Sequence, residues 1–482
     1  MSLYATQVLH TRTPYGRSIG QTLDSLWTYV GERLATLSLP FGETQLKTSI
    51  LRSLSSISQG RLTIKTPDGD YVFGAAPVHG SSTSPLDITL KVRDDAFWRR
   101  LLLFSDLGLA EAFMLGEVEC DDMSGLLQIV ISNRQELDVN LNRLSTSLLA
   151  FGRRLTAYRF LGDIYTSPAN ISAHYDLGNA LFKSFLSEDM NYSSAIFLDY
   201  REDLVKPLQL CESLESAQAR KMQNLIKRAG IAPGDRVLEI GTGWGSLAIL
   251  MASTVECSVD TITLSVEQHD LAVERIEKAG LSDRVTVHYM DFRMCRERTE
   301  WAGVFDKFIS VEMIENVGRD FIEEYWRVVD WALKPKTSVG VVQVITMPEA
   351  RTPAYDSSGV DFIQKWVFPG CYIPSLCFLV ETLNRGSQGR LTVDSVSNIG
   401  PHYARTLREW KRKFLVNWDK SISMALVNLY GLDEASLGVF KRKWIYYFDY
   451  CEAGFVTRTL GDHIITFTRE GNVSFGCDFK AD

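Results

Sequence analysis

Glu239, Gly241, Gly243 and Gly245 stand at every second position in RVLEIGTGWGSLAIL, residues 236–250, where an apolar run ends. Glycines at this spacing let the main chain turn sharply and close on a bound molecule, because no Cβ stands in the way. The neighbouring residues narrow down which molecule. A phosphate-cradling loop needs Gly-Lys-Ser/Thr at its end, and no such lysine is present. A dinucleotide loop prefers glycine at the sixth position, where the helix start meets the strand, and Ser246 stands there. The remaining pattern, Glu-x-Gly-x-Gly-x-Gly, suits a zwitterionic ligand with an uncharged tail rather than a pyrophosphate.

The elements around the loop fit that chemistry. From residue 230 onward strands and helices alternate: DRVLEIG, VDTITLS, RVTVHYMD, FDKFISVE and SVGVVQVIT read as strands. GSLAILMAST, VEQHDLAVERIEKAG and FIEEYWRVVDWAL read as helices. This order predicts an α/β fold with a parallel sheet covered on both faces, binding its ligand beyond the carboxyl ends of the strands. In that context the glycine loop is the motif of S-adenosylmethionine-dependent methyltransferases. Asp291, in YMDF, is placed to accept a hydrogen bond from an adenine amino group or to cap a helix.

Upstream, GRLTIKTPDGDYVFG reads as a hairpin, LDITLKV as a strand, and DDAFWRRLLLFSDLGLAEAFMLGE and MSGLLQIVISNRQEL as helices. The expected organisation is a helical extension over 1–45, a small α+β domain over 46–150, a linker helix over 151–170 and a methyltransferase domain over 171–482. The linker interleaves Arg153, Arg154 and Arg159 with Phe151, Tyr158 and Phe160; it suits either an anionic membrane surface or a solvated interdomain helix.

Composition excludes several classes. The 482 residues are 45% hydrophobic and 23% charged with net charge −8, which argues against a general nucleic-acid binder. Eight cysteines occur without a C-x-x-C pair, so a reduced protein without a structural metal is expected. The first twenty residues lack the basic-then-apolar pattern of a signal peptide, and no apolar run reaches the ~18 residues of a membrane span. The expectation is a cytoplasmic protein, peripheral at a membrane surface if its substrate is a lipid. A homodimer is admissible, and oligomeric state is otherwise unspecified.

Taken together the segments resemble the cyclopropane-fatty-acid synthase family, which includes the mycolic acid cyclopropane synthases and related fatty-acyl methyltransferases. The resemblance runs through HYDLGNALFKSFLSEDMNYSSAIF, VLEIGTGWGSLA, TITLSVEQ, FDKFISVEMIENVG, VDWALKPK, KWVFPGCYIPS, NIGPHYARTLREWKRKF and YYFDYCEAGF, in that order. DITLKVRDDAFWRRLLLFSDLGLAEAFMLGEVECDD resembles the lipid-facing N-terminal domain of longer members. The resemblance implies a Rossmann-like class I methyltransferase sheet of seven mostly parallel strands with a helical lid. It implies that Tyr192 and Ser193 contact the methionine part of S-adenosylmethionine and that Leu238, Glu239, Gly241, Gly243 and Gly245 wrap its amino-acid portion. Thr263, Leu264, Ser265 and Gln268 would lie by the ribose, with Asp291 and Phe292 beside the adenine.

The implied reaction joins a methylene group to the cis double bond of an unsaturated acyl chain, within a phospholipid. An alkene is a poor nucleophile, so it must be held in line with the sulfonium methyl and away from water. Loss of a proton from the resulting cation closes a cyclopropane; other fates give a methyl-branched chain, and a sphingoid substrate or a non-catalytic lipid binder are the alternatives. In the family a bound bicarbonate takes that proton. Its holders map to Glu315, Tyr403, Ser194 (a family cysteine) and Gln343 (a His in bacterial phospholipid enzymes). The lesser alternatives are a solvated helix-start carboxylate for Glu315 and a packed core residue for Tyr403. Cys451 matches a cysteine traditionally assigned to the family's active site, although alkene methylation needs no thiolate. Residues 350–440, with Trp366, Phe368, Tyr372 and PSLCFLVETL, are expected as an apolar lid. The patches Lys411–Lys413 and Lys441–Trp444 suit either a headgroup surface or plain solvation.

Overall fold

The computed structural model describes residues 43–75, 86–137, 178–358 and 360–476. The extension over 1–42, the loop at 79–85 and the amphipathic linker over 151–170 lie outside the described residues. The chain forms two compact units that do not follow chain order. One takes Met1–Phe160, Ser358–Val367 and Trp418–Thr457; the other takes Leu161–Ser357, Phe368–Asn417 and Arg458–Asp482.

In the first unit α1 (Glu43–Leu54) precedes the expected hairpin. Strands β1 (Arg61–Thr66) and β2 (Gly69–Gly74) pair antiparallel, with Thr66 opposite Gly69. Strand β3 (Asp87–Val92) runs parallel to β1 and β4 (Val118–Cys120) antiparallel to β3, giving the order β2-β1-β3-β4. The long apolar stretch after β3 breaks at Ser105, whose φ of 53° ends α2 (Ala96–Phe104) and starts α3 (Asp106–Leu115). Helix α4 (Met123–Ser132) follows, its N-terminus capped by Asp122 accepting from Gly125 N–H.

The second unit contains the sheet read from the sequence. Its order is β10-β11-β9-β8-β5-β6-β7, with β5 (Arg236–Ile240), β6 (Ser258–Thr263), β7 (Val285–Tyr289), β8 (Lys307–Val311) and β9 (Val339–Thr346) parallel. β11 (Gly461–Arg469) runs antiparallel between β9 and β10 (Leu391–Asn398). Successive strand residues point to opposite faces. Leu238, Phe308, Val342 and Ile465 therefore enter one core with Trp326, while Val237, Ile309, Val341 and Ile464 enter the other with Leu225 and Met251. The flanking helices are α5 (Gly178–Phe185), α6 (Leu214–Ala229), α7 (Ser246–Val255), α8 (Val266–Lys278) and α9 (Ile322–Ala332), followed by α10 (Leu376–Gly386) and α11 (Gly400–Asn417).

Residues 350–440, expected as one apolar lid, are divided. β10 is an edge strand of the sheet, and PSLCFLVETL becomes α10, packed on α9 so closely that a Cβ at Gly386 would lie 2.6 Å from Glu323 O. Trp366 belongs to the first unit, where the long helix α12 (Glu434–Val456) packs on α3 and α4. Phe362 meets Tyr446 edge-on there, and Arg442 Nε donates to Met114 O at 2.7 Å. The basic run Lys441–Trp444 is consequently not a solvated face. Lys443 and Trp444 are buried, and burial pushes the Lys443 ammonium down to about 8. The other run is paired, Lys413 with Glu215 and Arg412 with Glu409.

Candidate active site

The glycine loop joins β5 to α7 with three left-handed residues, Gly241 (φ 106°), Gly243 (φ 52°) and Gly245 (φ 83°). A Cβ at Gly241 would meet Met313 at 3.2 Å and one at Gly245 would meet Ala272 at 3.2 Å, whereas Gly243 faces open space. The loop is pinned by Gly241 and Thr242 N–H groups donating to Ile262 O. A cavity of ≈ 150 Å³ lies against it. Of the residues expected to hold the methyl donor, Tyr192, Ser193, Glu239, Gly241, Gly243, Thr263, Leu264, Gln268, Asp291 and Phe292 line its wall.

Three residues of that set sit behind the wall. Leu238 is core, Gly245 packs on α8, and Ser265 caps α8 by accepting from Gln268 N–H. Thr263 Oγ1 donates to Gln268 Oε1 at 2.8 Å, fixing the two side chains beside each other. Asp291 lines the cavity and caps the turn after β7, while Arg293 donates to both of its carboxylate oxygens.

An S-adenosylmethionine-like molecule fits this wall. Glu239 is buried, its Oε2 has no hydrogen-bond partner, and burial raises its carboxyl to about 8. An unsatisfied buried acceptor beside an open glycine loop is what an ammonium group would satisfy. Tyr192 is held among Phe182, Phe185, Phe368 and Trp410, and Lys221 Nζ donates to Ser193 Oγ at 2.6 Å.

Three of the four residues assigned to bicarbonate, Ser194, Gln343 and Tyr403, converge, but on a side chain absent from the expected set. Val311, the last residue of β8, lies opposite Gln343 on β9, so Glu312 emerges beside Gln343 at the carboxyl end of the sheet. Glu312 has φ 48° and lines the cavity. Its Oε1 accepts from Ser194 N–H at 2.8 Å and from Gln343 Nε2 at 2.8 Å; its Oε2 accepts from Tyr403 Oη at 2.6 Å. Gln343 Nε2 also donates to Asp462 Oδ2 at 2.8 Å, so its amide bridges the two carboxyl groups, and Asp462 Oδ1 has no hydrogen-bond partner. Ser194 Oγ donates instead to Ala195 O.

Glu315 is buried on the same side of the sheet. Its Oε1 accepts from Ile345 N–H at 2.5 Å, its Oε2 is without a partner, and it does not line the cavity. Burial, reinforced by the Glu312 carboxylate, pushes it up to about 8. Burial also raises Glu312, while Tyr403, Ser194 and Lys221 pull it back; Asp462 is raised by burial and then by Glu312 and Glu315. Bicarbonate therefore fits poorly: the donors expected to grip it are engaged by a protein carboxylate. Cys451 lies in the first unit, on α12, where burial pushes its thiol well above the ordinary range.

Sequence reading missed Glu312 because VEMIEN offers two acids and the resemblance selects the second. The available signal was a carboxylate placed directly after a strand with a buried centre, where ligands of parallel sheets bind.

The comparisons agree with this fold. Residues 164–463 match the family model described as mycolic acid cyclopropane synthetase. The tuberculostearic acid methyltransferase of Mycobacterium tuberculosis is 35% identical over 382 residues, covering 79% of this chain and 82% of that one. The cyclopropane-fatty-acyl-phospholipid synthase of Escherichia coli is 32% identical over 413 residues, covering 84% and 95%. In fold, a mycolic acid cyclopropane synthase solved with SAH and CTAB superposes with TM-score 0.51 at 22% identity, over 62% of this chain and 97% of that one. A seven-stranded class I methyltransferase sheet, an open glycine loop and matches over this length place the chain in the mycolic acid cyclopropane synthetase family.

Proposed function

We propose that the protein transfers a one-carbon unit from S-adenosylmethionine to the cis double bond of an unsaturated fatty acyl chain, in a phospholipid, closing a cyclopropane ring. The observation that carries this reading is that the glycine loop, Tyr192, Ser193, Glu239, Gln268 and Asp291 meet the half-buried carboxylate Glu312 on one cavity. When bound, S-adenosylmethionine supplies an electrophilic methyl on a positively charged sulfur. Glu239 satisfies its ammonium, and the glycine loop keeps the backbone close. The aromatic set around Tyr192 excludes water, and the Glu312 carboxylate opposes the positive charge that the alkene acquires.

Relatives of both product types support the lipid assignment, the Escherichia coli synthase by its cyclopropane name and the Mycobacterium protein by its tuberculostearic one. The 35% identity to the latter favours, as a second reading, a methyl-branched product from the same cation. Among the described residues no helix is long and apolar enough to cross a membrane, and we assign the encounter with phospholipid to the membrane surface.

The test is incubation with methyl-labelled S-adenosylmethionine and oleoyl phospholipid vesicles, followed by mass spectrometry. A labelled acyl chain two hydrogens lighter than its saturated methyl-branched counterpart and lacking an alkene supports ring closure, whereas the same mass with an alkene retained supports the second reading. The heavier chain supports the second reading, and unlabelled lipid overturns both.

A further inference from the structure

We propose that Glu312, bridged to Asp462 by the Gln343 amide, is this enzyme's own proton acceptor and stands where the resemblance implies a bound bicarbonate. The inference rests on the methyl-transfer reading above. In this step a C–H bond of the newly attached carbon breaks. Its electron pair forms the last ring bond to the cationic carbon, and the proton passes to a Glu312 carboxylate oxygen.

Four observations carry it. Glu312 lines the same cavity as the glycine loop. Ser194 N–H, Gln343 Nε2 and Tyr403 Oη, which map to bicarbonate holders, all donate to its carboxylate. A second anion among those donors would lie against a fixed carboxylate, and Lys221, the buried cation that acts on Glu312, is already engaged by Ser193 and Asn191. Finally, φ is 48° at Glu312, a conformation that disfavours any side chain. A non-glycine residue held there reflects a local demand that outweighs the strain.

The pair divides its roles by hydrogen bonding. Three donors surround Glu312, and Gln343 alone of them reaches Asp462. Donors stabilise the charged form, so Glu312, which has three of them, is the carboxylate of the pair. The family's carbon-based base is thereby replaced by a side chain, and the assignment to Glu315 passes to Glu312.

The experiment uses purified full-length protein with ¹³C-bicarbonate as the probe, read by NMR line broadening, alongside turnover in carbon-dioxide-scrubbed buffer. The wild type should show no saturable broadening and no loss of turnover on scrubbing. Glu312→Gly relieves the left-handed strain, so it should fold, bind S-adenosylhomocysteine and lose about 10²–10⁴-fold in rate, the range of a lost general base. It should then bind bicarbonate and regain part of its rate from it. Glu312→Gln, which fills the site but cannot take the proton, should be equally slow and gain nothing from bicarbonate.

Saturable bicarbonate binding by the wild type that disappears in Tyr403→Phe would overturn the inference. So would wild-type turnover that collapses on scrubbing, or full-rate turnover by Glu312→Gln. The NMR arm needs no substrate. A wild type that neither labels lipid nor binds bicarbonate refutes the function while leaving Glu312 in the anion's place.

Discussion

Tyr403 Oη and Glu312 Oε2 are 2.6 Å apart, a hydroxyl from the first turn of α11 donating to a carboxylate at the carboxyl end of β8. This bond favours the ionised form of Glu312, which burial otherwise disfavours. The other groups acting on the carboxylate are Asp462 from β11, Lys221 from α6 and Glu315 from the turn after β8. Tyr403→Phe removes a charge-assisted bond worth about 1.5–3 kcal/mol, roughly one to two pH units. The acidic limb of the kcat–pH profile should move upward by that amount, with rate recovering at higher pH. An unmoved limb would separate Tyr403 from the titrating base.

Glu239, raised to about 8, should bind a cationic donor better when ionised. Calorimetry with S-adenosylhomocysteine is expected to show affinity rising as pH approaches 8 in the wild type. Glu239→Gln should bind about tenfold more weakly, a change of ~1.4 kcal/mol, with the pH dependence flattened.

Gly241→Ala forces a Cβ onto φ 106° and to within 3.2 Å of Met313. Strain of this kind costs about 1–3 kcal/mol, so the urea midpoint should fall and donor binding weaken together. Gly243→Ala, with nothing within 4 Å, should lose less stability, and a larger loss there would contradict the open space beside the loop.

Glu315 supplies a stability test. Its folded value of about 8 lies above the ordinary carboxylate value, so in between the folded state keeps a proton that the unfolded chain has released. Stability contributed this way falls as pH rises through that window. Glu315→Gln should lose less stability between about pH 5 and pH 8 than the wild type, as read from urea midpoints. Glu239 carries the same sign, so the slope is reduced rather than abolished.

Much of the donor wall was legible in the residues. RVLEIG, VDTITLS and SVGVVQVIT are β-rich runs bounded by turn signals, and their alternation with helices leaves few topologies. The proton-handling side was harder to read. It draws Ser194, Glu312, Gln343, Tyr403 and Asp462 from five separate stretches spanning about 270 residues, and nothing in the spacing within VEMIEN ranks Glu312 above Glu315. The stretch 350–440 reads as one insertion because it is continuous in the chain. The structure instead divides it between units, since α10 and β10 have apolar faces that the methyltransferase sheet and α9 bury.

The chain by itself determined the properties that are local: strand and helix periodicity, the glycines that allow left-handed turns, and the ionic balance that disfavours nucleic acid. Only the tertiary structure decided which carboxylate meets the tyrosine, because the pairing of β8 with β9 and the docking of α11 place groups far apart in sequence within 3 Å. The physical reason is that a buried charge is governed by its donors, and those donors are assembled by sheet register rather than by neighbouring residues.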